Sequence, residues 1–268
     1  MKYCLRSRQL KRYLSMADEI VVESRDYRQI SDLFIDYPDK MIILEISNED
    51  LDNEEYMTVV EEYGKATENF CCKIYNLQKY QWFKIRNIKF YYGYPINSYY
   101  DLQGLVDIGV EYVFITAPLT FDMNTMEKYD VKFRAVPNIA YDAYIPRKDG
   151  KRGQWIRPED IKYYENGIYI FEFEDANFEK ERTLYDIYTS GEWPGNINLL
   201  ITNLGVDADN RGIVDEFGQV RSNCRQRCMS KGACHFCDTA FGFEEMLRVV
   251  ERRRALEKIQ ESQPQEEN

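Results

Sequence analysis

The sequence predicts a closed (β/α)8 barrel of the TIM type, because short apolar strands alternate with amphipathic helices along most of the chain. Three observations carry this prediction. Eight apolar segments have the length of strands, helical patterns lie between them, and 268 residues are enough for one barrel-sized domain. An open, doubly wound sheet is the alternative, since a count of strands does not establish closure.

The predicted strands are short segments rich in β-branched and aromatic residues. Several are continuous apolar runs, as parallel strands covered on both faces should be. They cover residues 2–5, 19–23, 41–46, 88–92, 112–116, 131–136, 169–173 and 198–202.

The predicted helices lie between these strands, and several have typical start and stop residues. Ser98 suits an N-cap, Pro158 suits a first turn, and Gly109 and Gly167 suit helix ends. The helices cover residues 7–16, 27–36, 53–80, 98–107, 124–129, 158–166, 177–189 and 243–260.

Length and composition predict one soluble domain over residues 1–260, including a cysteine-rich loop at 223–238, with a disordered polar tail at 261–268. No apolar run approaches the roughly 20 residues of a membrane helix, and the basic N-terminus lacks a signal-peptide core. We therefore expect a cytoplasmic protein that does not enter membranes. The net charge of -11 disfavours nucleic acid as a partner, although a local basic patch can override it.

Four cysteines near the C-terminus form the strongest chemical motif in the chain. Cys224, Cys228, Cys234 and Cys237 have the spacing C-x3-C-x5-C-x2-C. Thiolates are soft ligands, and their clustering limits the loop entropy lost when a metal gathers them. Such a site fits an iron-sulfur cluster or a structural zinc ion, and the spacing does not choose between them. Free or disulfide-bonded cysteines are the remaining alternative.

A single histidine, His235, restricts the chemistry that the chain can perform. A Ser-His-Asp triad would need this residue to leave the cysteine loop, and an H-E-x-x-H zinc site needs two histidines. No dinucleotide-binding or P-loop glycine pattern is present. Ordinary protease, nucleotide and ATP chemistry therefore have no support in the sequence.

Barrel enzymes place their reactive groups at the carboxyl ends of the strands. Glu45 and Glu172 are carboxylates inside apolar strands, where burial is costly without a partner, so we expect them to pair with Arg6 or Arg134. One interpretation is that these pairs are purely structural. The functional interpretation makes Glu45, Arg134 and Glu172 catalytic, with Arg6 and Tyr92 binding an anionic substrate.

One stretch resembles proteins related to peptidase family U32. It consists of Trp155-Ile156-Arg157-Pro158-Glu159-Asp160-Ile161, then Tyr163-Tyr164-Glu165-Asn166-Gly167 and Gly195-Asn196, and the later cysteines strengthen the match. The resemblance implies a barrel-like domain with cysteine ligands, and it places Arg157 in the substrate site. Arg157 and Glu159 also fit a simple helix start, with acids in the first turn.

The resemblance implies a cofactor, a 4Fe-4S cluster, more firmly than a reaction. The members of that family include collagenase-like peptidases and enzymes for oxygen-independent hydroxylation. We therefore expect an iron-sulfur enzyme that modifies an anionic small molecule or polymer, with an electron donor or partner subunit. The alternatives are a noncatalytic scaffold with a four-cysteine zinc site, and a peptidase.

Overall fold

The computed structural model describes residues 1–116, 119–138, 155–173, 178–200, 209–213 and 217–224. Within these ranges, all strands belong to one parallel sheet of eight strands. The strands are β1 (Tyr3–Arg6), β2 (Glu19–Glu23), β3 (Met41–Ile46), β4 (Phe70–Ile74), β5 (Lys89–Tyr92), β6 (Tyr112–Phe114), β7 (Lys132–Ala135) and β8 (Ile170–Glu172).

The strand order around the sheet is β5-β4-β3-β2-β1-β8-β7-β6, which continues in one direction without the reversal of a doubly wound sheet. The two edges meet just beyond β5. There the Ile96 amide donates to the Phe114 carbonyl at 2.8 Å, and the Thr116 amide donates to the Ile96 carbonyl at 2.9 Å. The sheet is therefore a nearly closed barrel, and the (β/α)8 prediction is confirmed.

Helices alternate with the strands and cover the outside of the barrel. The side chains of Asn53 and Ser98 cap two of them by accepting hydrogen bonds from the amides of Tyr56 and Asp101. Gly109, with a φ of +78°, follows the end of a helix. The α-helices are α1 (Lys11–Met16), α2 (Ile30–Asp36), α3 (Glu54–Ala66), α4 (Tyr80–Ile85), α5 (Tyr99–Asp107), α6 (Met123–Met126), α7 (Phe178–Ser190) and α8 (Phe217–Arg221).

Short 3-10 helices occupy several of the connections. The predicted helix at 158–166 is one of these, because the structure has a 3-10 helix there that begins at Pro158 and ends at Tyr163. The 3-10 helices are Ser24–Gln29, Asp50–Asp52, Leu77–Lys79, Leu119–Phe121, Pro158–Tyr163, Ile197–Leu199 and Asn210–Gly212. None of the α-helices in the described ranges has the length and apolar character required to cross a bilayer.

Two sequence predictions of secondary structure are wrong. The helix predicted over 53–80 ends at Ala66, and β4 follows it, with Cys71 and Cys72 paired to Ile43 and Leu44 of β3. The strand predicted at 198–202 begins instead with the 3-10 helix Ile197–Leu199. The barrel keeps eight strands because β4 takes the place of the strand expected near the end. The predicted helix at 243–260 lies outside the described residues.

The barrel has two separate apolar cores. The larger one lies between the sheet and its helices. The smaller one fills the barrel interior, because alternate residues of each strand point inward. It contains Cys4, Val21, Ile43, Cys71, Tyr91, Tyr112, Phe114, Val136 and Ile170. The same alternation places charged residues of six strands inside the barrel.

Candidate active site

Arg134 of β7 lies fully buried at the deep end of a chain of ion pairs. Its guanidinium contacts Glu19 of β2 and lies 2.7 Å from Glu172 of β8. The Tyr91 hydroxyl donates to the same Glu172 oxygen at 2.7 Å, and the guanidinium stacks 4.6 Å from the Tyr91 ring centroid. The carboxylates of Glu19 and Glu172 are therefore both held by charge-assisted hydrogen bonds to this buried guanidinium.

Lys73 of β4 continues this series of ion pairs toward the mouth of the barrel. Its ammonium lies 3.2 Å from Glu172 and 3.6 Å from Glu45 of β3. Burial by itself favours the neutral amine, but the two carboxylates outweigh burial and raise the pKa of Lys73 above its ordinary value. Lys73 is therefore a permanent cation between two carboxylates inside the barrel.

The two carboxylates on Arg134 have pKa values shifted in opposite directions. Burial raises the pKa of Glu19, and the attraction of Arg134 only partly opposes it. Burial acts in the same way on Glu172, but Lys73 and Arg134 together outweigh it and hold the pKa of Glu172 far below its usual range. Glu172 is therefore the firmly ionised member of the interior.

The series of ion pairs reaches solvent at Arg6 of β1. One nitrogen of its guanidinium, Nη1, lies 3.3 Å from Glu45 and 3.6 Å from Glu23 of β2, and the Tyr75 hydroxyl donates to Glu45. The exposed fraction of the side chains rises from 0% at Arg134 to 19% at Glu45 and 29% at Arg6. A molecule entering the barrel mouth would therefore meet Arg6 and Glu45 first.

A polar cleft of about 950 Å³ lies over the exposed end of this series of ion pairs. It is formed by the carboxyl ends of β1, β2 and β3 and the segments that follow them, which is where barrel enzymes bind substrates. Its polar and aromatic lining includes Arg6, Glu23, Ser24, Arg25, Tyr27, Glu45, Ser47, Asp50, Tyr56 and Tyr75.

The structure brings together four of the residues that the sequence predicts for the site. The expected pairs Arg6 with Glu45 and Arg134 with Glu172 are confirmed. Tyr92 lies apart from them, because it points out of the barrel and packs against the outer core, with its ring 5.5 Å from that of Tyr94. The neighbouring Tyr91 takes the inward position instead.

Arg157 also lies away from the barrel mouth, in a buried polar cluster beside the 3-10 helix Pro158–Tyr163. It makes a two-pronged ion pair with Asp160, at 2.6 and 2.8 Å, and donates to Asn210 at 3.4 Å. Glu159 accepts from Asn210 at 2.7 Å and from the Trp193 amide at 2.6 Å. These contacts tie three separate segments together, and the substrate-binding role of Arg157 stays a prediction.

Sequence reasoning missed Glu19, Lys73, Tyr75 and Tyr91. The helix predicted over 53–80 includes Lys73 and Tyr75, and a helical period does not reveal that both face the barrel interior. The signal was the alternation of Cys71, Lys73 and Tyr75, which puts all three on one side of a strand. Glu19 opens a predicted strand, but only the three-dimensional structure shows that Arg134 reaches it across the barrel.

The metal site predicted for the cysteines lies almost wholly outside the described residues. Cys224, which is half-buried, is the one member that falls within them, and Cys228, Cys234 and Cys237 do not. Cys224 follows α8, whose end is joined to α6 by the Met123 amide and the Ser222 carbonyl at 3.0 Å. No cluster of histidine, cysteine or acidic residues suited to a metal occurs within the described ranges.

The fold and the cleft together define a (β/α)8-barrel protein with an open polar site at the carboxyl ends of its strands. No protein-family model and no curated protein sequence matches this chain. The relation to peptidase family U32 therefore stays a prediction.

Proposed function

We propose that this protein is an enzyme whose substrate binds in the mouth cleft, with Arg6 holding an anionic group and Glu45 transferring a proton. The observation that carries the proposal is the position of these two residues at the open end of the interior ion-pair chain. Both carboxylate contacts of Arg6 use Nη1. Among the described residues, no hydrogen bond or ion pair uses its Nε or Nη2 atoms, so these donors suit a carboxylate or phosphate.

Glu45 is suited to proton transfer because its carboxylate is fixed in place beside the cleft. Arg6 contacts one oxygen, while Tyr75 and Lys73 contact the other. A carboxylate within hydrogen-bond reach of a bound substrate can act as general acid or base. Arg134 and Glu172 lie deeper, and in this proposal they act by holding Lys73 and hence Glu45 in position.

We propose further that Cys224, Cys228, Cys234 and Cys237 hold an iron-sulfur cluster. Four thiolates are the usual ligand set of a 4Fe-4S cluster, and Cys224 is only half-buried. A bound cluster would supply electron transfer. Oxygen-independent hydroxylation is the reaction class that the resemblance to peptidase family U32 supports.

Metal analysis of protein purified without oxygen tests the cluster. Iron and acid-labile sulfide should be present in the natural protein and in the control Cys71→Ala, and absent from the double variant Cys228→Ala, Cys234→Ala. Stoichiometric zinc without visible absorption would overturn the redox proposal and support the scaffold alternative.

Ligand screening tests the mouth cleft independently of the metal. Thermal shift against a set of small carboxylates and phosphates should reveal a stabilising anion, and Arg6→Gln should abolish the shift. Arg12→Gln is the matched control, because Arg12 is exposed and stacks on Tyr13, and neither residue lines the cleft. Glu45→Gln should retain binding but lose turnover of any substrate found. An equal response of both arginine variants would overturn the assignment of the cleft.

A further inference from the structure

The structure has a second concave surface, on the outside of the barrel beyond β5. This surface, here named the tyrosine groove, has a volume of about 870 Å³ and runs beside α5 and the start of α4. We propose that it binds lysine or arginine side chains of an extended basic segment in a partner protein. The residues that carry the proposal are Tyr80, Tyr92, Tyr94, Tyr100, Asp101 and Asp107.

The aromatic side chains of the tyrosine groove are unusually accessible. Tyr100 is 88% exposed and Tyr94 is 52% exposed. Tyr94 is nevertheless held in place, because its ring lies edge-on against Tyr75 at 4.9 Å and Tyr92 at 5.5 Å. Rigid, exposed aromatic rings lose little conformational entropy when a ligand covers them, which favours binding.

The charge of the groove selects the kind of ligand. Asp101 and Asp107 are exposed carboxylates, and none of the described residues that line the groove is lysine or arginine. Lys79 pairs with Asp52 at 2.8 Å, away from the groove. Lys84 donates to the carbonyl of the lining residue Ile108 at 3.3 Å, so one cation lies at the edge of the groove while both carboxylates belong to its lining.

Aromatic faces beside carboxylates attract cations, because the ring quadrupole and the formal charge act in the same direction. Phosphate-bearing ligands such as nucleic acids would be repelled by the same carboxylates. The volume of the groove is several times that of one lysine side chain, so it has room for an extended segment with more than one cation.

Gly104 provides an independent observation. It lies inside α5 and lines the groove, and a β-carbon built on it would meet no atom of the described residues within 4 Å. Glycine weakens a helix interior relative to alanine, and packing among the described residues does not require it here. Its absent side chain leaves the groove floor open to the close approach of a ligand.

Fluorescence anisotropy with a labelled nonapeptide of alternating lysine and glycine tests the proposal on the full chain. The natural protein should bind this probe saturably at physiological salt, and a matched glutamine-glycine peptide should not bind. Tyr100→Ala and Asp107→Asn should each weaken binding about fivefold. Gly104→Leu should abolish it without lowering the melting temperature, since the new side chain enters open space.

Asp39→Asn is the matched control for charge, because Asp39 is exposed and lies before β3, outside the groove. It should leave binding unchanged. Equal weakening by Asp39→Asn and Asp107→Asn would show that the peptide follows only the net negative charge, and would overturn the proposal. Binding of the glutamine peptide with equal affinity would overturn it as well, by showing that the groove does not select cations.

Discussion

The ammonium of Lys73 lies 3.2 Å from the carboxylate of Glu172, although β4 and β8 stand on opposite sides of the barrel. Three strands separate β4 and β8 in either direction around the ring. The pair therefore bridges the interior, and its two side chains replace apolar contacts that would otherwise fill this layer.

Lys73→Met should lower the free energy of unfolding by about 2 kcal/mol. Removing one partner of a buried ion pair often costs about 3–5 kcal/mol. We expect a smaller loss here because, in the variant, Glu172 still pairs with Arg134 and Glu45 still pairs with Arg6. Urea unfolding measures the change. Lys79→Met is the control, since its exposed pair with Asp52 should contribute under about 1 kcal/mol. Equal effects of the two variants would contradict an interior role for Lys73.

Glu172→Gln should lose stability in a pH-dependent manner. Lys73 and Arg134 outweigh burial and lower the pKa of Glu172 below its ordinary value of 4.5. A lowered folded-state pKa stabilises the protein above the unfolded-state pKa, and this contribution decreases as pH falls below about 4.5. The stability difference between the natural protein and Glu172→Gln should therefore be largest near pH 7 and smaller near pH 3.5. A difference independent of pH would contradict this prediction.

Gly93→Ala should disturb the mouth cleft. A β-carbon at Gly93 would lie 2.6 Å from the Tyr75 ring, so the ring that carries the hydroxyl bound to Glu45 must shift. We expect a loss of about 1–3 kcal/mol in the free energy of unfolding. Gly104→Ala is the matched control, because its open surroundings predict a gain of up to about 1 kcal/mol. Thermal unfolding of both variants distinguishes crowding from helix propensity.

Arg157→Lys should destabilise the fold by about 2 kcal/mol, because lysine cannot reproduce the two-pronged contact with Asp160. Gly218→Ala should act on the same cluster, since a β-carbon there would lie 2.3 Å from Asp160 Cγ. Unchanged melting temperature in Arg157→Lys, together with a loss of activity, would instead support the substrate-binding role.

Three of the seven cysteines should resist thiol reagents in the native protein. Cys4, Cys71 and Cys72 are buried, and burial raises the pKa of each thiol and so suppresses the reactive thiolate. Reaction with Ellman's reagent should give no more than four fast thiols before unfolding and seven in denaturant. More than four fast thiols in folded protein would contradict the burial of this group.

The sequence predicts the barrel well, because seven of its eight strands combine an apolar run with a helical pattern that follows it. It fails at β4, where Lys73 interrupts an apolar run and the two cysteines have little strand preference. The position of Lys73 is explained by Glu172 and Glu45, which come from distant strands. Local patterns do not contain that information, and the same holds for the pairing of Arg134 with Glu19.

The interior ion pairs join an N-terminal and a C-terminal part of the chain, which are synthesised at different times. Strands β1 to β4 carry Arg6, Glu19, Glu45 and Lys73, whereas Arg134 and Glu172 belong to the last two strands. A compact half-barrel that excluded water would bury Glu19 without Arg134, and Lys73 without Glu172, which is costly for charged groups. Assembly intermediates should therefore be scarce, and the barrel should close in a single cooperative event.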